Sequence, residues 1–152
     1  MELGSYQIIR KIATGGMAEI FLARHKSTEG FQRNLVIKRI LPEYSDDAGF
    51  VQSFLDEAKL AGQLNHPNIV QIYDLGRLGK SYFIAMEYIK GWDISTLLRL
   101  CRRQETNLPM GVALRIFCDV CQGLDYAHSA KDVDGNSLGV VHRDVTPSNV
   151  IV

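Results

Sequence analysis

The run His142-Arg143-Asp144-Val145-Thr146-Pro147-Ser148-Asn149 decides how the rest of this 152-residue chain is read. An aspartate is followed five residues later by an asparagine, a histidine stands two places before the aspartate, and a proline lies between. Val140-Val141 leads in and Val150-Ile151-Val152 leads out, so the polar run reads as a loop pinned between two short strands. Such a loop holds a carboxylate and an amide in one cleft. A carboxylate there can accept a proton from a hydroxyl, and an amide oxygen can ligate Mg²⁺. A polar turn between strands is the plain alternative, because short runs of this kind match by chance. The residues upstream decide between the two.

Composition narrows the field. Hydrophobic content of 46% and charged content of 22% are ordinary for a soluble globular protein with a sizeable core. Lys+Arg and Asp+Glu each number 17, which gives no electrostatic ground for a nucleic-acid partner or an anionic membrane. Met1-Glu2-Leu3-Gly4-Ser5 carries an acid and no apolar run, so no signal peptide is expected, and no run of about 20 apolar residues is present to span a bilayer. The odd count of cysteines, Cys101, Cys118 and Cys121, points to reduced thiols in a cytoplasm. Cys118 and Cys121 lie inside a helical pattern without a second ligand pair and read as core thiols.

Working back from the loop, the spacing predicts strands over residues 5–13, 18–25, 35–41, 69–75 and 81–88, with Thr14-Gly15-Gly16-Met17 as the tip of the first hairpin. Between the third and fourth strands, Val51, Phe54, Leu55, Ala58, Ala61 and Leu64 recur at helical spacing over residues 48–64, with Asp46 or Asp47 as N-cap and Glu57 beside the stripe. His66-Pro67-Asn68 ends that helix by turn chemistry. Beyond Gly91 the pattern turns helical, over residues 93–103 and 110–129. The second of these has Ala113, Leu114, Phe117, Cys121, Leu124 and Ala127 on one face, with Val112, Ile116 and Val120 extending it, and predicts burial on most sides. Asp134-Gly135-Asn136 reads as a hairpin tip before Val140. The pair Asp132 and Asp134 lacks the downstream glutamate of a Ca²⁺ loop.

Taken together, these stretches resemble the first part of the catalytic domain of the bacterial eukaryotic-like (Hanks-type) Ser/Thr protein kinases. His142 to Asn149 is similar to the kinase H-R-D-x-x-x-x-N loop, Val36-Ile37-Lys38 to the V-A-I-K strand, and Ile12-Ala13-Thr14-Gly15-Gly16-Met17-Ala18-Glu19-Ile20 to the glycine-rich loop. His66-Pro67-Asn68 resembles the turn after the αC helix, with a structural histidine, and Met86-Glu87-Tyr88-Ile89 resembles the hinge between lobes.

The resemblance implies an α+β fold: a five-stranded antiparallel N-lobe with one αC helix over residues 1–89, then a partial helical C-lobe over residues 90–152. It implies ATP and Mg²⁺ as cofactors and Ser/Thr-bearing proteins as substrates. The glycine-rich loop would cover the phosphates, and Lys38 would hold the α- and β-phosphates, positioned by Glu57. Val36 would lie above the adenine ring, the Glu87 carbonyl and Ile89 N–H would meet it, and Met86 would guard the back of the pocket. Asp93 would reach the ribose hydroxyls, although an aspartate there also suits a helix cap. Asp144 would accept the substrate proton and Asn149 would ligate the metal, with His142 and Arg143 as scaffolding.

Three departures stand out. Ala13 and Ala18 replace glycines, where a positive φ would be costly. Thr146 replaces the usual lysine and removes a positive charge at the transferring group. No D-F-G segment follows Val152, so a truncated domain is expected, one that transfers no phosphate at a useful rate and folds poorly alone. A non-catalytic pseudokinase is the alternative that these departures suggest. A small-molecule phosphotransferase is a third reading, against which Arg143 argues.

Overall fold

The computed structural model describes residues 2–26, 30 and 32–152. The chain divides into two units, Met1–Asn65 with Val70–Tyr88, and His66–Ile69 with Ile89–Val152.

The first unit is built on one antiparallel sheet. Its strands are β1 (Glu2–Leu3), β2 (Tyr6–Thr14), β3 (Ala18–Lys26), β4 (Gln32–Ile40), β5 (Ile72–Leu78) and β6 (Ser81–Glu87), in the order β1-β2-β3-β4-β6-β5. Six strands stand where five were expected. The extra one is two residues long, too short for alternation to reveal. Gly4, at φ +59°, turns it back so that Leu3 pairs with Tyr6. β5 starts three residues later than the sequence suggests, because His66 to Ile69 closes a turn in which the Ile69 amide donates to the His66 carbonyl at 3.0 Å.

Opposed residues of antiparallel strands share a face, which sorts the core in two. Leu3, Tyr6, Phe21, Ala23, Leu35, Ile37, Phe83 and Ala85 form one cluster. Ile40 and Ile84 form the other with Phe54 and Ala58 of α1 (Ala48–Ala61). Of the two candidate caps, Asp47 serves, accepting from the Phe50 amide at 3.0 Å, while Asp46 pairs with Lys80 at 3.0 Å. The helix closes earlier than residue 64, since Gln63 and Leu64 donate to carbonyls three residues back, a tightened last turn. In β5, Gly76 lies opposite Phe83, whose ring occupies the space a Cβ would need, at 2.2 Å.

The second unit carries α2 (Ile94–Arg103) and α3 (Met110–Ser129). Pro109 precedes α3 as its N-cap rather than opening it. α3 is less buried than its apolarity suggests. Gly123 and Ala127 are buried, whereas Leu114, Phe117, Cys118 and Cys121 are exposed, so the two thiols are not core residues. The partner on the buried side is the His66 turn. Asn68 Nδ2 donates to the Asp119 carbonyl at 2.9 Å, the His66 ring lies 5.1 Å from that of Tyr126, and a Cβ on Gly123 would stand 3.1 Å from the Asn68 carbonyl. Periodicity reports which residues are apolar, not which of them meet a neighbour. His66 is structural as expected, its Nδ1 accepting from the Asn68 amide at 3.1 Å.

The hairpin expected before Val140 is a single bridge, Lys131 to Ser137, around a turn organised by the Asp132 carboxylate. Oδ1 accepts from the Asp134 and Asn136 amides at 2.9 and 2.8 Å, which holds this carboxyl below its usual range, the Asn136 contacts contributing most. Val140 and Val141 form no strand, and of the residues after the loop only Ile151 makes a bridge, to Asp93. The loop is therefore not held by flanking strands.

Tyr6 gives this fold a pH signature. Its hydroxyl donates to Asp74 Oδ2 at 2.9 Å, and burial, reinforced by that carboxylate, pushes its pKa up to about 12. The unfolded chain releases this proton near about pH 10, so above that pH it binds fewer protons than the native state and stability falls. Denaturant unfolding should show a decline starting near about pH 10, and Tyr6→Phe should flatten it.

Candidate functional site

In the first unit the site begins at the hairpin tip. The Gly15 amide donates to the Ala18 carbonyl at 2.8 Å and the Leu41 amide to the Met17 carbonyl at 3.0 Å, which ties the tip to the end of β4. Thr14 to Met17 are exposed, and a Cβ on Gly16 would meet nothing within 4 Å, so the backbone there is open to approach. The anticipated cost at Ala13 and Ala18 does not arise. Ala13 pairs with Ile20 and Ala18 with Ile40 in the ladder, and neither has a positive φ.

Below the tip, β3, β4 and β6 place Ala18, Ile20, Leu22, Val36, Ile40, Ile84 and Met86 on the same face as Lys38. Val36 stands directly between Leu22 and Met86, and Lys38 between Ile20 and Ile84. Lys38 Nζ lies 3.3 Å from Glu57 Oε1 of α1 and 5.7 Å from the centre of the Phe54 ring. The pair expected from the sequence thus forms. Lys38 is 32% exposed and Glu57 66%, so solvent screens the pair, and its main effect is to aim the ammonium rather than to stabilise the fold. A hollow of about 150 Å³ lies beside it, lined by Met17, Ala18, Lys38, Phe50, Ser53, Phe54 and Glu57. At the end of β6, the Glu87 amide donates to the Gln71 carbonyl at 2.9 Å.

In the second unit, Ile89 accepts from the Gly91 amide at 3.1 Å, and the chain then pairs with the residues that follow the catalytic-type loop. Trp92 and Val152 exchange amide hydrogen bonds of 2.9 and 3.0 Å, and Ile94 donates to Val150 at 3.0 Å. Asp93 is the N-cap of α2. One oxygen accepts from the Thr96 amide and the other from its hydroxyl, both at 2.8 Å, and these two bonds hold the carboxyl below its usual range. The helix-cap use of Asp93 is thus realised.

The loop itself is held by its own residues. Arg143, just before Asp144, is left-handed at φ +63°, a strained conformation for a side chain of this kind. His142 Nδ1 accepts from the Asp144 amide at 3.3 Å. Pro147–Asn149 make one 3-10 turn, and the Thr146 and Ser148 hydroxyls stand 2.9 Å apart. Asn149 Nδ2 donates to the Asp144 carboxylate at 2.7 Å and to the Asp144 carbonyl at 2.9 Å. That orientation occupies the amide nitrogen and leaves Oδ1 as the amide's acceptor, the atom type that ligates a hard cation.

Two features escaped the sequence reading. Glu19 binds both Lys11 and Arg39, a cluster that becomes visible only once the strand register is known. Gly91 lies against the Val152 carbonyl, which a Cβ would approach to 2.1 Å, and nothing in the local sequence signals that contact.

Residues 6–152 match the protein kinase domain family, and the chain belongs to it. Its fold is accordingly the α+β protein-kinase fold. The tyrosine-protein kinase MasK of Myxococcus xanthus is 50% identical over 97% of this chain and 23% of its own length. The serine/threonine-protein kinase PrkC of Bacillus subtilis is 34% identical over 98% of this chain and 21% of its own. The solved PknI kinase domain of Mycobacterium tuberculosis superposes with a TM-score of 0.76 at 31% identity, over 99% of this chain and 56% of that one. The chain therefore spans less than a quarter of these curated relatives and little more than half of the solved domain. Among the described residues no helix is long and apolar enough to cross a membrane.

Gly91→Ala should push Val152 away and open the short ladder, at a cost of about 1–3 kcal/mol. Hydrogen exchange is the readout: the amides of Trp92, Ile94 and Val152 should lose protection together, while those of β3 and β4 keep theirs.

Proposed function

We propose that this chain supplies the nucleotide-binding and phosphoryl-transfer residues of an ATP-dependent protein kinase acting on Ser or Thr hydroxyls of protein substrates. The observation that carries the reading is the Lys38–Glu57 pair at 3.3 Å, a cation aimed across an apolar sheet face beneath an open glycine hairpin. Each unit by itself offers groups that suit Mg-ATP: in the first, small residues at the tip for close approach and a lysine for phosphate oxygens; in the second, an amide oxygen for a hard metal and a carboxylate for a hydroxyl proton. When bound, Mg-ATP supplies the transferable γ-phosphoryl group and the charge that neutralises it.

The chain's own tasks follow from position. Ile12 to Ile20 cover the phosphates, Lys38 grips the α- and β-phosphates, and Val36, Met86, Glu87 and Ile89 enclose and bind the adenine. Asp144 orients the acceptor hydroxyl and takes its proton, held in place by Asn149, whose Oδ1 would hold Mg²⁺. Asp93 caps α2 with the carboxylate that would also reach the ribose. Thr146 adds no charge at the γ-phosphate, which lowers the rate relative to a lysine there. A division into an N-lobe with hinge, residues 1–89, and the first part of a C-lobe, residues 90–152, is supported by a unit boundary one residue earlier, between Tyr88 and Ile89, although His66–Ile69 go with the second unit. Free thiols at Cys101, Cys118 and Cys121 fit a reducing cytoplasm. A tyrosine acceptor is a second reading, favoured by the 50% identity to MasK, a tyrosine-protein kinase.

Calorimetric titration with Mg-ATP tests the nucleotide site: Lys38→Ala should weaken binding by about tenfold or more, a loss of at least ~1.4 kcal/mol. Equal binding by the two proteins would exclude Lys38 as a phosphate ligand. In transfer assays, Asp144→Asn should lower kcat by roughly 10²–10⁴ with little change in nucleotide affinity. Phosphoamino-acid analysis of the product separates the Ser/Thr reading from the tyrosine one.

A further inference from the structure

We infer that Glu19 is a positioning residue for nucleotide phosphate, fixing the inclination of the β2 arm of the glycine hairpin relative to the strand that carries Lys38. The inference rests on the kinase reading and concerns a residue whose side chain lies on the sheet face opposite Lys38.

The hairpin is not rigid by its ladder alone. In β2 the register slips between Lys11 and Ala13, which pair with Phe21 and Ile20, so Ile12 is an extra residue without an opposite number. A bulge of this kind bends its strand and raises the local twist. The β2 arm beyond it, from Ala13 to Thr14, therefore departs from the line of the strand below, whereas Ala18 stays in an unbroken ladder with Ile40 and Met17 is tied to Leu41.

Glu19 spans this joint. Its Oε1 accepts from Lys11 Nζ at 2.5 Å, below the slip, and its Oε2 accepts from Arg39 Nη2 at 2.6 Å, on the neighbouring strand. Glu19 is paired directly with Arg39, and Ile20 with Lys38, so the carboxylate is fastened one residue away from the lysine, on the opposite face of the sheet. The two cations lie over the buried Phe21 ring, at 5.8 Å for Lys11 and 5.1 Å for Arg39, which fixes where they stand. The Glu19 side chain is only 12% exposed. Arg39 Nε is buried without a hydrogen-bond partner, so the guanidinium has few alternatives to this carboxylate. Lys11 first, then Arg39, hold the Glu19 carboxyl below its usual range, so the clamp stays charged at neutral pH. A shielded ion cluster contributes little net stability, and its use is to select one geometry.

The test separates positioning from general support. Mg-ATP and adenosine are titrated by calorimetry into wild type, Glu19→Gln, Lys11→Met and the double variant, with melting temperatures recorded. Lys11 is half exposed, so Lys11→Met keeps the test open should Glu19→Gln fold poorly. The expected result is a loss of Mg-ATP affinity of about tenfold in each single variant, with adenosine affinity unchanged. The double variant should be no weaker than either single one, because both remove the same clamp. Unchanged Mg-ATP affinity in the single variants would overturn the inference. So would an equal fall in adenosine and Mg-ATP affinity, which marks a purely structural role. Failure of the wild type to bind Mg-ATP at all would instead defeat the kinase reading, and this inference with it.

Discussion

A primary ammonium on a sheet face otherwise made of alanine, isoleucine, leucine, valine and methionine is the constraint on which the first unit depends. Full burial of an unpaired Lys38 would be prohibitive. The fold meets it in three ways. It leaves the head group about one-third exposed, sets the Phe54 ring near it, and brings the Glu57 carboxylate within 3.3 Å. None of these is separable from the core. Phe54 and Ala58, four residues apart on α1, bury against Ile40 and Ile84, and that packing sets the rotation of the helix. Glu57 lies next to Ala58 and three residues after Phe54, so the same rotation delivers it to the edge where Lys38 emerges. The charge pair is a consequence of hydrophobic packing more than a cause of it.

The second unit solves a different problem. Its polar loop, exposed along most of its length, is shaped by local bonds: a left-handed arginine, a histidine ring accepting from the chain two residues on, a proline-initiated turn, and an asparagine that clasps the aspartate. A short ladder joins residues 150–152 to residues 92–94, and Gly91 leaves room for it because it has no side chain. Backbone strain at Arg143 and close approach at Gly91 are two local costs accepted so that a carboxylate and an amide share one place.

Much of this was legible in the sequence, for definite reasons. Helices α1 and α3 declare themselves because apolar residues recur over many turns, and α3 has its expected limits to the residue. The pairing of Lys38 with Glu57 was legible because an inner-face lysine faces a helix with one glutamate beside its apolar stripe, and Asp144 and Asn149 share one place as expected, although no flanking strands pin the loop. What was missed depends on neighbours remote in sequence. β1 is too short to show alternation. The Glu19 cluster depends on a register that slips by one residue at Ile12. The cost foreseen at Ala13 and Ala18 was an error of analogy: a glycine in a motif need not mean that the backbone there is left-handed.

The Asp132 turn has a practical corollary. Its carboxylate is satisfied entirely by residues no more than four places away, and Val133 at its edge is fully solvent-exposed. A segment whose shape is written in its own few residues neither receives instructions from the rest of the chain nor sends any. It is therefore a natural insertion point. A fluorophore or affinity tag carried beyond Gly135 would report on the molecule without burdening the strands, the helices or the loop from His142 to Asn149.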